Sequence, residues 1–440
     1  MYRKTSVPSS KKNIAAKSST APVKSISRIV SNLQQSTLPN GMKVITEPVP
    51  NVHSVSVGLW TETGSRDETL QTNGISHFIE HLVFKGTKKR NYIAISRSME
   101  EVGGYLNAFT SKDQTCFYAR CLDEHTGVAV DVLSDLVFNP IFPESELEKE
   151  KQVVIEEMKS SEDTPDDIIF DDFEKSIYGA HPMAMPIIGT EETVRSFSRA
   201  GMQKYMQQRY TTDKMLLVAA GNVRHEEMVR LAEKFIPKRK SPSQLPRVKF
   251  DPKAYQPVHL EVPKPINQAH VVMGFPFERD DKTYYAAMLL NTVLGGGMSS
   301  RLNLRVREKF GLVYTIYSFI NASDESNEFG VYLGTDGGKV EKALKLVREE
   351  LEKLAEKAVP DKELELSKAQ LKGSIIMGQE SMSSRMMRIA RNEYYFGGDV
   401  PGDLVIEDIN RVTAADVRKV AETLFKPSLY STVIFKPKKK

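Results

Sequence analysis

The sequence predicts an α+β protein of two homologous domains, each a mainly antiparallel sheet covered by helices, related by internal duplication. Three observations predict it. The chain has 440 residues, long for one hydrophobic core and comfortable for two. Short alternating apolar runs are mixed with long helical stretches, the pattern of an α+β domain. The second half also echoes the first. From Pro143 the chain reads PESELEKEKQVVIEEMK and closes at Tyr178-Gly179; from Pro360 it reads PDKELELSKAQLKGSII and closes at Phe396-Gly397. Glu146, Leu147, Glu148 and Lys151 match Glu363, Leu364, Glu365 and Lys368. A repeat of about 215 residues is a duplicated domain rather than a solenoid. The copies differ chemically: Glu150 falls opposite Ser367 and Glu157 opposite Ser374.

Taken in order, residues 1–35 form a basic tail. They carry Arg3, Lys4, Lys11, Lys12, Lys17, Lys24 and Arg28, many serines, and neither Asp nor Glu. The segment reads as disordered, with an organellar (mitochondrial matrix) targeting segment as the alternative to a cytoplasmic protein. Structure is expected to begin near Thr37, with a first domain over 36–236. Within it, strands are expected at 42–47, 53–61, 105–110 and 115–120. Helices are expected at 73–86, capped by Asn73 and stopped by Gly86, and at 124–138, 144–160 and 166–177. A proline- and base-rich stretch, 237–257, reads as a linker to the noncatalytic homologous domain, 258–440. Each half then ends in a helix and a strand, over 194–220 and 409–436.

Composition excludes several classes. Hydrophobic residues make up 40% and charged residues 27%, as in a globular protein. No apolar run approaches a membrane span, and a net charge of +4 gives no reason to expect nucleic acid. Cys116 and Cys121 are too few for a disulfide framework and read as buried thiols of a reducing compartment.

The chemistry centres on His77-Phe-Ile-Glu80-His81. On a helix the two histidines, four apart, share one face and can reach one metal. Glu80 lies beside them, where a carboxylate can hold a metal-bound water. Ile75, Phe78, Ile79, Leu82, Val83 and Phe84 make this helix apolar around most of its girth, so its polar groups need partners. A third ligand is sought on 144–160, which offers Glu150, Glu156 and Glu157. Glu150 and Glu157 share a face, and Glu156 points away. The plain alternative is a solvated acidic face.

These residues lie in a wider pattern: Leu38-Pro-Asn-Gly41, Gly74-Ile-Ser-His77 through Gly86-Thr, Gly103-Gly-Tyr-Leu-Asn107-Ala-Phe-Thr110, and Glu150 with Glu157. On these motifs the chain resembles the pitrilysin-type zinc metallopeptidases, in the short-chain group that includes mitochondrial processing peptidase and its bacterial relatives. The resemblance implies one zinc per chain held by His77, His81 and Glu157, with Glu80 as general base and Glu150 supporting the site. It implies that Phe84 lines a specificity pocket, and that Asn107 and Ala108 sit on an edge strand to which an extended peptide adds. Asp167 and Asp171 resemble a place where acidic groups meet a substrate arginine, with a solvated helix face as the alternative. Arg307 and Tyr314 resemble a pair that supports substrate and the tetrahedral intermediate from the non-zinc domain; an ion pair of Arg307 with Glu308 is the plain reading. Gly295-Gly-Gly297 lacks the context of a phosphate loop and resembles a shortened glycine-rich loop. The expected activity is hydrolysis of extended peptides, near basic residues. Noncatalytic family relatives and a peptide-binding module with a structural metal are the rivals. The expected assembly is a homodimer, or a heterodimer with a related chain.

Overall fold

The computed structural model describes residues 32–238, 245–278, 280, 282–322, 326–398 and 400–438. Its eleven strands among these residues form two sheets. The first contains β1 (Gln34–Thr37), β2 (Lys43–Pro48), β3 (Ser54–Thr61), β4 (Tyr105–Thr110), β5 (Thr115–Leu122) and β6 (Met215–Gly221). The second contains β7 (His259–Lys264), β8 (Ala269–Glu278), β9 (Val313–Ala322), β10 (Ser326–Thr335) and β11 (Ser431–Pro437). The spatial orders are β1-β2-β6-β3-β5-β4 and β7-β11-β8-β10-β9. Without β1 they coincide, and each has its single parallel pair in the same place, β2 with β6 and β7 with β11. The duplication read from the sequence is therefore a duplication of topology.

Each sheet carries helices of its own half on one face. The other face is covered by a helix from the opposite half. Pro165–Tyr178 of the first half lies on β8 and β11, where Ile169, Phe173 and Ile177 pack with Val272, Val433 and Phe435. Met382–Phe396 of the second half lies on β2, β3 and β6, where Met386, Ile389 and Ala390 pack with Ile45, Trp60, Leu216 and Val218. A strand buried on both faces cannot alternate apolar with polar residues. That is why β6 reads MLLVAAG, buried throughout. Each large side chain buried in this exchange contributes about 1.5–3 kcal/mol, so the halves form one body rather than two tethered beads. Polar contacts tie them as well: buried Glu47 accepts from Arg385 (2.8 Å) and Arg388 (3.3 Å), and Asp113 accepts from Tyr395 (3.0 Å).

A glycine admits each exchanged helix. A Cβ on Gly58 of β3 would lie 2.5 Å from Met386 Sδ and 2.6 Å from Trp60 Nε1, and one on Gly274 of β8 would lie 2.8 Å from the Phe173 ring. Gly58→Ala is therefore expected to lower stability by about 1–3 kcal/mol through overpacking, read as a fall in the denaturation midpoint. An unchanged midpoint would mean that the helix is not seated there as described.

The structure departs from the expected elements in three places. β1 begins at Gln34, inside the segment assigned to the tail; residues 1–31 lie outside the described residues. The helix expected over 73–86 is Ile75–Leu82 followed by a tighter turn, Val83–Lys85. Its N-cap is Gly74, not Asn73, and Gly74 sits at φ +90°, a conformation that favours glycine. The stretch 237–257, described at 237–238 and 245–257, is no loose linker. Arg247 lies half-buried against the first half and donates to both Asp67 carboxylate oxygens (3.1 and 3.0 Å), while Phe250 packs edge-on to Tyr178. The linker read from its proline and basic residues is held down by a bidentate arginine, by Phe250, and by Arg66 donating to the Val248 carbonyl at 3.1 Å. Both cysteines are free and buried. No helix among the described residues is long and apolar enough to cross a membrane.

Candidate metal centre

The helix Ile75–Leu82 packs its Ile75, Phe78, Ile79 and Leu82 into the first core, which turns His77, Glu80 and His81 toward the opposite side. The helix Glu144–Glu162 lies beside it, held by buried Leu147, Val154 and Ile155. Across that seam Glu157 Oε1 is 3.8 Å from His77 Nε2, and Glu157 Oε2 is 3.6 Å from His81 Nε2. One ligand atom from each of the three residues falls within 4.8 Å of the others. Donors bound to one tetrahedral zinc at the usual lengths lie about 3.3–3.5 Å apart, so the set fits a zinc ion once the side chains draw in from separations of up to 4.8 Å. Among the described residues no fourth His, Cys, Asp or Glu joins the group, which leaves a position open. Three protein ligands with an open fourth position is the catalytic form of a zinc site.

The electrostatics of the two histidines differ. Burial, then the neighbouring His81, lowers His77 to about 4, so it is a neutral imidazole with a lone pair to give at neutral pH. Burial lowers His81 too, but its hydrogen bond to Glu150 and the charges of Glu157 and Glu150 outweigh this and leave it raised. The Glu150 carboxylate lies 3.0 Å from His81 Nδ1 and accepts from Lys85 Nζ at 2.8 Å. Glu150 is buried, and its two cationic partners more than offset the burial, holding its carboxyl below the usual value. Glu150 therefore orients His81 from behind, the ordinary outer support of a metal-bound histidine. Burial raises the Glu80 carboxyl, partly offset by Thr110, whose hydroxyl donates to Oε2 at 2.6 Å.

Three residues of this site carried no role in the sequence reading. Lys85 follows His81 by four, so it returns to the same side and reaches Glu150. Thr110 ends the edge strand and reaches Glu80. Glu68 is the third. It lies nine residues before His77, and nothing in the spacing marks it.

The remaining residues are distributed as follows. Phe84 is half-buried in the Val83–Lys85 turn against the core. Asn107 and Ala108 lie on β4, the edge of the first sheet, and the Ala108 N–H is held by the Asn107 side-chain oxygen at 2.8 Å. Asp171 lines a cleft of about 410 Å³ between Glu144–Glu162 and Pro165–Tyr178, with Lys175 on its wall. Burial raises its carboxyl, offset in part by Lys112 and Lys175. Asp167 is exposed, and its charge acts on Tyr317 and Tyr332. Arg307 lies in a π-helical segment, Asn303–Lys309, a form frequent at functional sites. Its guanidinium lies 5.9 Å from the ring centre of Tyr314, which is 76% exposed at the start of the edge strand β9. The ion pair with Glu308 also forms, at 3.8 Å. Neither Arg307 nor Tyr314 makes a hydrogen bond or ion pair with the metal-centre residues.

The chain and its fold match known proteins. Residues 43–191 match the family description "Insulinase (Peptidase family M16)", and residues 196–371 match "Peptidase M16 inactive domain". A protein of Bacillus subtilis named an uncharacterized zinc protease is 39% identical over 394 residues, covering 89% of this chain and 96% of the relative. One of the same description in Rickettsia felis is 35% identical over 406 residues, covering 92% and 97%. The chain belongs to peptidase family M16. A crystal structure of a protease from Helicobacter pylori superposes with a TM-score of 0.86 at 23% identity, covering 93% of this chain and 100% of that one. A peptidase M16 inactive domain from Pseudomonas fluorescens gives 0.83 at 21%, covering 93% and 99%; these two speak to the fold alone.

Proposed function

We propose that the protein is a zinc-dependent endopeptidase that hydrolyses extended peptides, with one zinc per chain. The observation that carries this reading is the convergence of His77, His81 and Glu157 beside a half-buried Glu80 of raised pKa on the same helix. Zinc held there would supply Lewis acidity to a scissile carbonyl and acidify a bound water. Glu80 takes a proton from the attacking water and returns it to the leaving amine; its raised pKa moves it toward neutrality, where such a base works best. Thr110 fixes which carboxylate oxygen is free to do so. Substrate adds as a strand to β4, displacing the Asn107 side chain from the Ala108 N–H. The open fourth position favours hydrolysis over a structural metal. The test is a quenched extended peptide. Cleavage should stop with a chelator and return with zinc, and His81→Ala should abolish both metal and cleavage. Normal zinc content in His81→Ala would overturn the assignment.

Two finer readings belong with it. Asp171, with Asp167, gives a preference for a basic residue near the cut. Profiling cleavage of a peptide library by Asp167→Asn and Asp171→Asn should show that preference reduced. If an arginine preference exists and survives both changes, these carboxylates do not create it. The assembly is a homodimer in which Arg307 and Tyr314 of one subunit support the tetrahedral intermediate at the zinc of the other. The supporting observation is that this pair lies together on the second half with no bond to its own chain's metal centre.

A further inference from the structure

The two histidines of the metal centre are supported unequally. His81 has the usual outer partner, since its Nδ1 meets Glu150 at 3.0 Å. His77 does not: its Nδ1 is buried and has no hydrogen-bond partner among the described residues. A metal-bound histidine is almost always oriented through its second nitrogen, so His77 must take its orientation from elsewhere. What remains is the backbone that carries it.

That backbone is anchored unusually. His77 is the third residue of its helix, and the N-cap Gly74 has no side chain with which to cap. The cap comes from Glu68. Its Oε2 accepts from the Gly74 N–H at 2.6 Å and its Oε1 from the Ser76 N–H at 2.9 Å. Asn73 Nδ2 adds a third bond at 3.1 Å and also donates to the Pro186 carbonyl at 2.8 Å. The Ser76 hydroxyl is hydrogen-bonded to Tyr205 at 2.9 Å. Gly74 meets Gly189 so closely that a Cβ would fall 2.7 Å from the Gly189 Cα. Glu68 is 4% exposed and lies outside the group of metal ligands. Burial raises the Glu68 carboxyl to about 7, and the bonds from Ser76, Gly74 and Asn73 act against it by favouring the carboxylate, which also suits a helix N-terminus. Here both of its oxygens are used on the turn that ends one residue before the first ligand.

We infer that Glu68 is the positioning residue for His77: its buried carboxylate fixes the first turn of the ligand helix and so replaces the outer partner that His77 lacks. This rests on the zinc reading above. Gln is nearly isosteric with Glu, but it offers one oxygen and one NH₂. Whichever way the amide turns, one of the two backbone N–H groups then faces a donor. Asp keeps both oxygens and is one methylene short.

The experiment uses the full chain loaded with Co²⁺, whose visible absorption reports ligand geometry, and measures cobalt and zinc affinity by chelator competition alongside the melting temperature of the metal-free protein. Glu68→Gln should weaken metal binding about 10–100-fold and alter the cobalt spectrum. Glu68→Asp should fall between it and the unaltered chain. Leu133→Ala, a cavity in the same core, should lower the melting temperature and leave the spectrum unchanged. If Glu68→Gln does not fold, Glu68→Asp decides by the same criteria. A folded Glu68 variant with the native spectrum and affinity overturns the inference and leaves the zinc reading standing. An equal disturbance by Leu133→Ala also overturns it, since the effect would then be general loosening. Failure of the unaltered chain to bind either metal overturns both.

Discussion

Replacing Glu80 with Gln is expected to cut turnover about 10²–10⁴-fold while leaving the zinc content unchanged. The two halves of that expectation have separate causes. Glu80 lies on the same helix as the histidines, but the residues that would hold the metal are His77, His81 and Glu157, so zinc binding should not depend on Glu80. The Gln oxygen can still accept from Thr110, so the side chain keeps its place. What is lost is the capacity to take a proton. KM should change little, because Glu80 holds no part of the substrate distant from the reacting bond. The measurement is kcat and KM on a quenched peptide together with zinc per chain by elemental analysis. Turnover within about tenfold of the unaltered chain would remove Glu80 from the role of base. Loss of zinc would instead make it a ligand.

How much of this could be read beforehand depended on whether the determining contact was local. His77 and His81 announce themselves because four residues is one helical turn, and the apolar residues between them say which side is buried. Glu150 and Glu157 were legible as one face of a second helix, but spacing alone left a solvated acidic face in contention for both. It took the wider pattern of motifs to decide. Lys85 sat in view, four residues past His81, yet its partner Glu150 lies on another helix, and no periodicity states which helices adjoin. Glu68 was invisible for a related reason. Caps are sought at the N-cap itself, and here the cap is a carboxylate from six residues upstream. The duplication was legible as matching sequence. The exchange of helices between the two copies was not. Apolar faces on 166–177 and on Met382–Phe396 show that each is buried, and say nothing about which sheet receives it. Gly58 and Gly274 carry that information only once the opposing Met386 and Phe173 are known.

Mixing a Glu80→Gln chain with a Tyr314→Phe chain, each nearly inactive alone, is expected to restore activity once subunits exchange. The reasoning begins with the placement of Tyr314, exposed beside Arg307 on an edge strand of the second half. A phenol 76% exposed, with its ring beside Arg307, is free to meet a group from outside its own chain. If it serves a zinc site of the partner in a closed dimer, each site is built from two chains. In the mixed dimer one site then carries both lesions, and the other pairs an intact Glu80 with an intact Tyr314. Random exchange makes half of all dimers mixed, each with one of its two sites whole. The recovered activity should approach about a quarter of that of the unaltered protein. The exchange of helices within the chain sharpens the expectation. Because each sheet is backed by a helix from the other half, the two halves cannot readily swing apart within one chain. In a shared site, substrate would then enter between chains rather than between the halves of one. Exchange should be verified independently, with subunits carrying different affinity tags recovered together. Verified exchange with no return of activity would place Tyr314 and Glu80 in sites built from a single chain. A protein that remains monomeric at assay concentration while fully active would remove the shared site altogether.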